Sequence, residues 1–213
     1  MRIDIISDVV CPWCYLGKRR LERALADLPP GAVELAWRPF RLNPEMPDGG
    51  MDRRAYMKAK FGEAGAGQAH QRLVEFGRAE GIAFDFDAIA RAPQTLDAHR
   101  LIRRALAGGR QVDMVEALFR AYFVEGRDIG DRDTLADVAA GAGLGRDEAR
   151  TYLDSDADRD AVIAEEQMAR RIGVSGVPFF IVEGKYALSG AQPPEAFLQV
   201  FEKLAEEAAS APT

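Results

Sequence analysis

Cys11-Pro12-Trp13-Cys14 holds the only two cysteines of the chain. A pair at this spacing can close a small disulfide ring and open it again, a reversible two-electron couple carried by the protein itself. Thiol–disulfide exchange is therefore the first chemistry the sequence offers, with Cys11 and Cys14 as its catalytic residues. Two other uses compete. A structural zinc ion wants four ligands, and the chain has no second cysteine pair and only His70 and His99 to add. Two inert core cysteines are the other alternative, because free Cys is commonly buried. Neither explains where the pair sits.

Its position follows from the flanking patterns. Ile3, Ile5 and Ile6, with Val9 and Val10 behind them, read as a short strand and loop. Leu21, Leu25 and Leu28 then recur at i, i+4 and i+7 and mark one helical face. Cys11 is thus expected at a helix N-terminus, where unpaired N–H groups and the helix dipole favour a thiolate. Pro12 suits the first helical turn, where its missing N–H costs nothing. Cys14, a turn further in, is expected to be more shielded and to react second. Pro29-Pro30-Gly31 breaks the helix. Val33, Leu35 and Trp37 alternate with Glu34, Ala36 and Arg38, the period of a half-buried strand. The opening is a βαβ unit with a right-handed crossover if its strands are parallel.

From about Met51 to Gly173 the apolar period becomes helical. Leu101, Ile102, Ala105 and Leu106 make one face, Val115, Leu118, Phe119, Tyr122 and Phe123 a second, and Ala161, Ala164, Met168 and Ile172 a third. Thr134 to Asp137 and Asp147-Glu148 look like helix starts with acid in the first turn. Consecutive helices without alternating strands suggest a helical lobe inserted between two halves of a sheet. Gly62, Gly65 and Gly67 lack the Lys-Ser/Thr of a phosphate loop and are expected to form a helix–helix turn. His99 is expected to play a surface or capping role, because a lone helical His needs a positioned partner before it acts as acid or base. The last forty residues return to strands. Val177 to Val182 is an apolar run, Glu183-Gly184 a tight turn and Tyr186 to Leu188 its hairpin partner. Pro193-Pro194 opens a helix with Phe197, Phe201 and Leu204 on one face.

The 213 residues suffice for one core, or a core with an inserted lobe. The 28 basic and 34 acidic side chains leave a net charge of −6 without a basic stripe, so the footprint of a nucleic-acid binder is missing. Arg170-Arg171 is expected on solvated helix surface. No run reaches the roughly 20 apolar residues of a membrane span, and no apolar segment of signal-peptide length is seen at the N-terminus. The expectation is a cytoplasmic protein, in which a dithiol pair is catalytic or redox-sensing more often than structural.

Cys11-Pro12-Trp13-Cys14-Tyr15, Trp37-Arg38-Pro39-Phe40-Arg41-Leu42-Asn43-Pro44 and Gly176-Val177-Pro178-Phe179-Phe180, with the helical stretch between them, resemble the DsbA-like thioredoxin superfamily, most closely its FrnE-like branch. The resemblance implies an α/β thioredoxin fold, residues 1–48 and 174–213, with an all-helical lobe inserted at 49–173. It implies a protein disulfide oxidoreductase without a resident cofactor or metal, acting on protein thiols or disulfides, with glutathione as a candidate redox partner. It further implies a cis Val177–Pro178 bond facing the cysteines, with Pro12, Trp13, Val177 and Pro178 as substrate-binding residues. Related 2-hydroxychromene-2-carboxylate isomerases and kappa-class glutathione transferases share the architecture, but typically carry a hydroxyl where Cys11 stands; a glutathione-dependent isomerase or transferase is the main alternative. A peptide-binding, chaperone-like module without redox turnover is a third. Superfamily members often place a buried acid six residues before the first cysteine, where this chain has Ile5. Water, Asp8 or a residue of the lobe is then left to take the proton of Cys14, since Asp4 should point to the other face of a regular strand.

Overall fold

The computed structural model describes residues 1–210, with the side chains of residues 63–69 outside the description. The N-terminal apolar run forms β1 (Arg2–Ser7), Pro12 opens α1 (Pro12–Leu25), and β2 (Glu34–Pro39) returns parallel to β1, pairing Ile3 with Leu35 and Ile5 with Trp37. Leu28 lies beyond the end of α1. Near the C-terminus β5 (Phe179–Val182) and β6 (Tyr186–Ser189) form the expected hairpin across Glu183 and Gly184, both at positive φ. β5 runs antiparallel to β1, so the sheet order is β2-β1-β5-β6. Strands from the two ends of the chain thereby lie side by side, and β1 is central, with Ile3, Ile5, Ile6 and Ser7 buried. The closing helix α8 (Pro194–Ser210) packs on α1, with Phe197 fully buried against Phe180, ring centroids 4.9 Å apart.

Between β2 and β5 run α2 (Arg53–Ala79), α3 (Leu96–Leu106), α4 (Gln111–Phe123), α5 (Arg132–Gly141), α6 (Arg146–Asp154) and α7 (Arg159–Arg171). Asp131 caps α5 by accepting the Thr134 N–H at 2.8 Å. α2 is broken at Gly62 (φ 73°, ψ 174°), where the turn was expected; Gly65 and Gly67 fall within residues 63–69, outside those described.

Several expectations need correction. The middle segment is not purely helical: β3 (Met51–Asp52) and β4 (Arg91–Ala92) form a small antiparallel ribbon. Residues 80–95 are largely irregular, with Ile82, Phe84, Phe86 and Ile89 buried beneath exposed neighbours. β2 is not half-buried, because both Ala36 and Trp37 are covered, with α7 and α4 packed against the strand. The buried face of α7 is Val162, Glu166 and Ala169, whereas Met168 and Ile172 are exposed. That helix is docked by charge: Glu166 accepts from Arg41 Nε at 2.6 Å and from Arg170 at 2.9 Å. Arg170 is on the exposed helix surface, as expected, but its guanidinium is engaged there, 4.2 Å from the Phe40 ring centre.

Candidate active site

Cys11 is the N-cap of α1, with extended backbone (φ −96°, ψ 110°) and Pro12 opening the first turn, as the spacing predicts. No side chain caps this end of the helix, so Cys11 itself stands where the backbone N–H groups converge. Cys14 lies one turn inside, and both thiols are free and buried. The Cys11 sulfur is 3.6 Å from the Val177 carbonyl oxygen. The Val177–Pro178 bond is cis, as the resemblance implies. Pro12 and Trp13 flank the pair; Trp13 is partly exposed, its ring 5.9 Å from that of Phe76. Cys11, Cys14, Pro12, Trp13, Val177 and Pro178 are thus brought together by the N-terminus of α1 and the start of β5.

Burial and the neighbouring Cys11 sulfur push the Cys14 thiol well above the usual range, opposed by hydrogen bonds from the Ser7 hydroxyl and the Asp8 amide. A thiol that stays protonated in the fold while the unfolded chain ionises near pH 8.5 loses stability as pH rises. The contribution is intact below that pH and disappears as pH climbs toward the folded value. The reduced protein is therefore expected to melt progressively lower above about pH 8.5, and Cys14→Ala should flatten that part of the profile. A melting profile of Cys14→Ala that falls as steeply as that of the wild type would contradict this.

Close approach of α1 to the start of β5 requires Gly17. A Cβ there would lie 3.0 Å from Pro178 Cγ and 3.1 Å from Phe180 Cζ. Mid-helix glycine ordinarily gains about 1 kcal/mol on replacement by Ala. Gly17→Val is instead expected to cost about 1–3 kcal/mol, because a rigid ring and a core phenyl must give way. A denaturation midpoint at or above wild type would refute the close-packing argument.

Cys11 also borders a cavity of about 260 Å³ whose walls come from the β1–α1 loop, α2, the 80–95 stretch and α4. Met46, Tyr56, Leu73, Phe86, Tyr122 and Phe123 line it, with Asp8, Arg53 and His70 among its polar residues. His70 stacks on Phe86 at 4.6 Å, and burial together with the Arg53 cation keeps its pKa below the usual value. Burial pushes the Tyr122 hydroxyl upward, so it remains a donor, to the Arg91 carbonyl at 3.2 Å.

The structure overturns the reading of His99 as a surface or capping residue. Its ring is buried, with Nε2 3.3 Å from Asp8 Oδ1. The other Asp8 oxygen accepts the Leu42 N–H at 2.8 Å. Asp4, by contrast, is held on the opposite side of β1 by Arg38 at 2.9 Å and by Arg2 at 3.2 Å. Asp8, three residues before Cys11, was legible as a candidate; its partner lies 91 residues away, and no local pattern points to it.

A strand–CxxC–helix against a cis-proline strand, on this sheet order, defines a thioredoxin-type fold carrying a helical lobe. The chain belongs to the family described as the DSBA-like thioredoxin domain, whose model matches residues 2–202. Over its full length it is similar to a probable DsbA oxidoreductase from Streptomyces coelicolor, 35% identical, TM-score 0.89, covering 92% of that chain. A 2-hydroxychromene-2-carboxylate isomerase shares the fold at 18% identity and TM-score 0.74, with both chains covered completely. So does the cytosolic disulfide reductase DsbM from Pseudomonas aeruginosa with GSH, 22% identical, TM-score 0.64, covering 95% of this chain and all of that one. Among the described residues no helix is long and apolar enough to cross a membrane.

Proposed function

We propose that the protein is a thiol–disulfide oxidoreductase that exchanges a Cys11–Cys14 disulfide or dithiol with protein or small-molecule thiols in the cytoplasm. The observation that carries this reading is the placement of Cys11 at the bare N-terminus of α1, its sulfur 3.6 Å from Val177 O, with Cys14 buried one turn behind. In the oxidising direction a substrate thiolate attacks Cys11 Sγ of the disulfide and Cys14 leaves as a thiolate. A second substrate thiolate then attacks the substrate sulfur and releases the Cys11 thiolate. In the reducing direction the Cys11 thiolate attacks a substrate disulfide and expels one thiolate; Cys14 then attacks Cys11 Sγ and expels the other. Pro12, Trp13 and the Val177–Pro178 backbone hold the substrate. Residues 1–48 and 174–213 act as the redox domain and 49–173 as the insertion that closes the cavity over it. The likeness to a cytosolic reductase bound to GSH supports glutathione as one partner.

The test is equilibration of the protein in glutathione redox buffers, followed by acid quenching, alkylation and mass measurement. Dithiol and disulfide forms are expected to interconvert across the buffer series. A protein that remains fully dithiol and forms no mixed disulfide at any ratio would reject the proposal.

The cavity favours a second reading, because about 260 Å³ beside Cys11 suits a small molecule better than a folded protein. A glutathione-dependent isomerase or transferase would convert an aromatic substrate undiminished in Cys14→Ala, whereas the exchange reading predicts no such conversion.

A further inference from the structure

Behind the cysteine pair lies a set of buried polar groups that the exchange steps above do not use. Asp8 and His99 are joined at 3.3 Å with both side chains buried, and the Leu42 N–H fixes the carboxylate from the other side. The Ser7 hydroxyl and the Asp8 amide hydrogen-bond to the Cys14 sulfur. Ser7, Trp37, Arg38 and His99 border a void of about 10 Å³, close to the space one water needs. Trp37 Nε1 is the one buried side-chain nitrogen or oxygen without a hydrogen-bond partner among the described residues. A buried N–H left without a partner calls for a water, and the void that Trp37 shares with Ser7, Arg38 and His99, otherwise walled by Val9, Ile102 and Val115, has room for one.

We propose that His99, oriented by Asp8, takes the proton of Cys14, which reaches it through the Ser7 hydroxyl and a water seated between Ser7, Trp37 and His99. The inference rests on the exchange reading of Cys11 and Cys14. With Nε2 turned to Asp8, the ring offers its other nitrogen to the relay, and the carboxylate stabilises the imidazolium that forms. In the resolving step Cys14 gives up its proton and its sulfur bonds to Cys11 Sγ. The bond from Cys11 to the substrate breaks and the substrate departs as a thiolate. Cys14 is thereby oxidised and the substrate sulfur reduced. The proton on His99 passes to solvent or to the departing thiolate by way of Asp8, which borders the Cys11 cavity. The same route runs backwards when Cys14 leaves as a thiolate.

Other charges near the ring are already engaged. His99 shares a pocket with Arg38 of β2, Arg103 of its own helix and Glu165 of α7. Glu165 is paired with both arginines, and Arg38 and Arg103 also hold Asp4 and Asp158, each at 2.9 Å. Asp8 is the anion bonded to the ring. Around Cys14 the groups are Cys11, Ser7 and Asp8.

The experiment mixes reduced protein with a nitrobenzoate disulfide reagent and follows the yellow thiolate. A first phase reports attack by Cys11, and a second reports resolution by Cys14. In His99→Gln, close in size but unable to hold a proton, the first phase should stay within about twofold of wild type. The second should slow at least about tenfold at pH 7 and recover with a slope approaching tenfold per pH unit as hydroxide takes over. Ser7→Ala, which leaves the dyad in place, should show the same slope, so the test survives if His99→Gln folds poorly by its melting curve. A second phase unchanged in both variants, or both phases slowed alike at every pH, overturns the relay. Wild-type protein that releases a single equivalent without a second phase overturns the exchange reading itself.

Discussion

Replacing Cys14 by Ala is expected to turn the protein into a trap. Turnover should fall on the order of a thousandfold, as when one member of a catalytic pair is deleted. Mixed disulfides through Cys11 should accumulate with glutathione or protein thiols, and Cys11→Ala should accumulate almost none. The asymmetry follows from position. Cys11 caps α1 and borders the open cavity, whereas Cys14 is 1% exposed, holds its proton tightly and faces the interior through Ser7 and Asp8. An incoming sulfur can reach the first cysteine and not the second. Without Cys14 nothing nearby attacks the Cys11 adduct, so its lifetime is set by external thiols. Non-reducing mass spectrometry after incubation with oxidised glutathione measures this directly. Equal adducts on both variants would show that either sulfur is reachable and would remove the order of steps.

Much of this site could be read from local pattern because its parts are local. The Ile3–Ile6 run, Pro12 in the first turn and the hairpin at Glu183-Gly184 each follow from residues within a few positions of one another. What escaped the sequence involves partners far apart in the chain. His99 looks like any helical histidine until topology sets it against Asp8. α7 misleads in a different way: counting apolar residues selects Ala161, Ala164, Met168 and Ile172, but the face that meets β2 carries Glu166, whose burial is offset by an arginine 125 residues away. The 80–95 stretch shows alternating apolar residues that a search for helical period passes over, although Phe84 and Phe86 stack at 5.0 Å and Phe86 lines the cavity beside Cys11.

Glu166→Leu is expected to be among the most destabilising single substitutions, at about 3–5 kcal/mol, because it removes one member of a buried ion pair and strands the other. Arg41 and Glu166 meet at 2.6 Å with side chains 10% and 4% exposed. Arg170 can swing to water when Glu166 is gone, since its side chain is 42% exposed, whereas the Arg41 side chain, 10% exposed, is left buried without its partner. The segment after β2 that carries Arg41 also presents the Leu42 N–H to Asp8, so strain at Arg41 should reach the cysteine site. The double variant Arg41→Met, Glu166→Leu removes both charges and fills similar volume, and should recover most of the loss. Urea denaturation of the two single variants and the double closes the cycle. If Glu166→Leu costs less than about 1 kcal/mol, or if the double variant is simply the sum of the singles, the pair does not dock α7 against the sheet. If the cycle closes as expected, the double variant should also restore the resolving rate lost in Glu166→Leu, because Asp8 regains its anchor without any charge returning to α7.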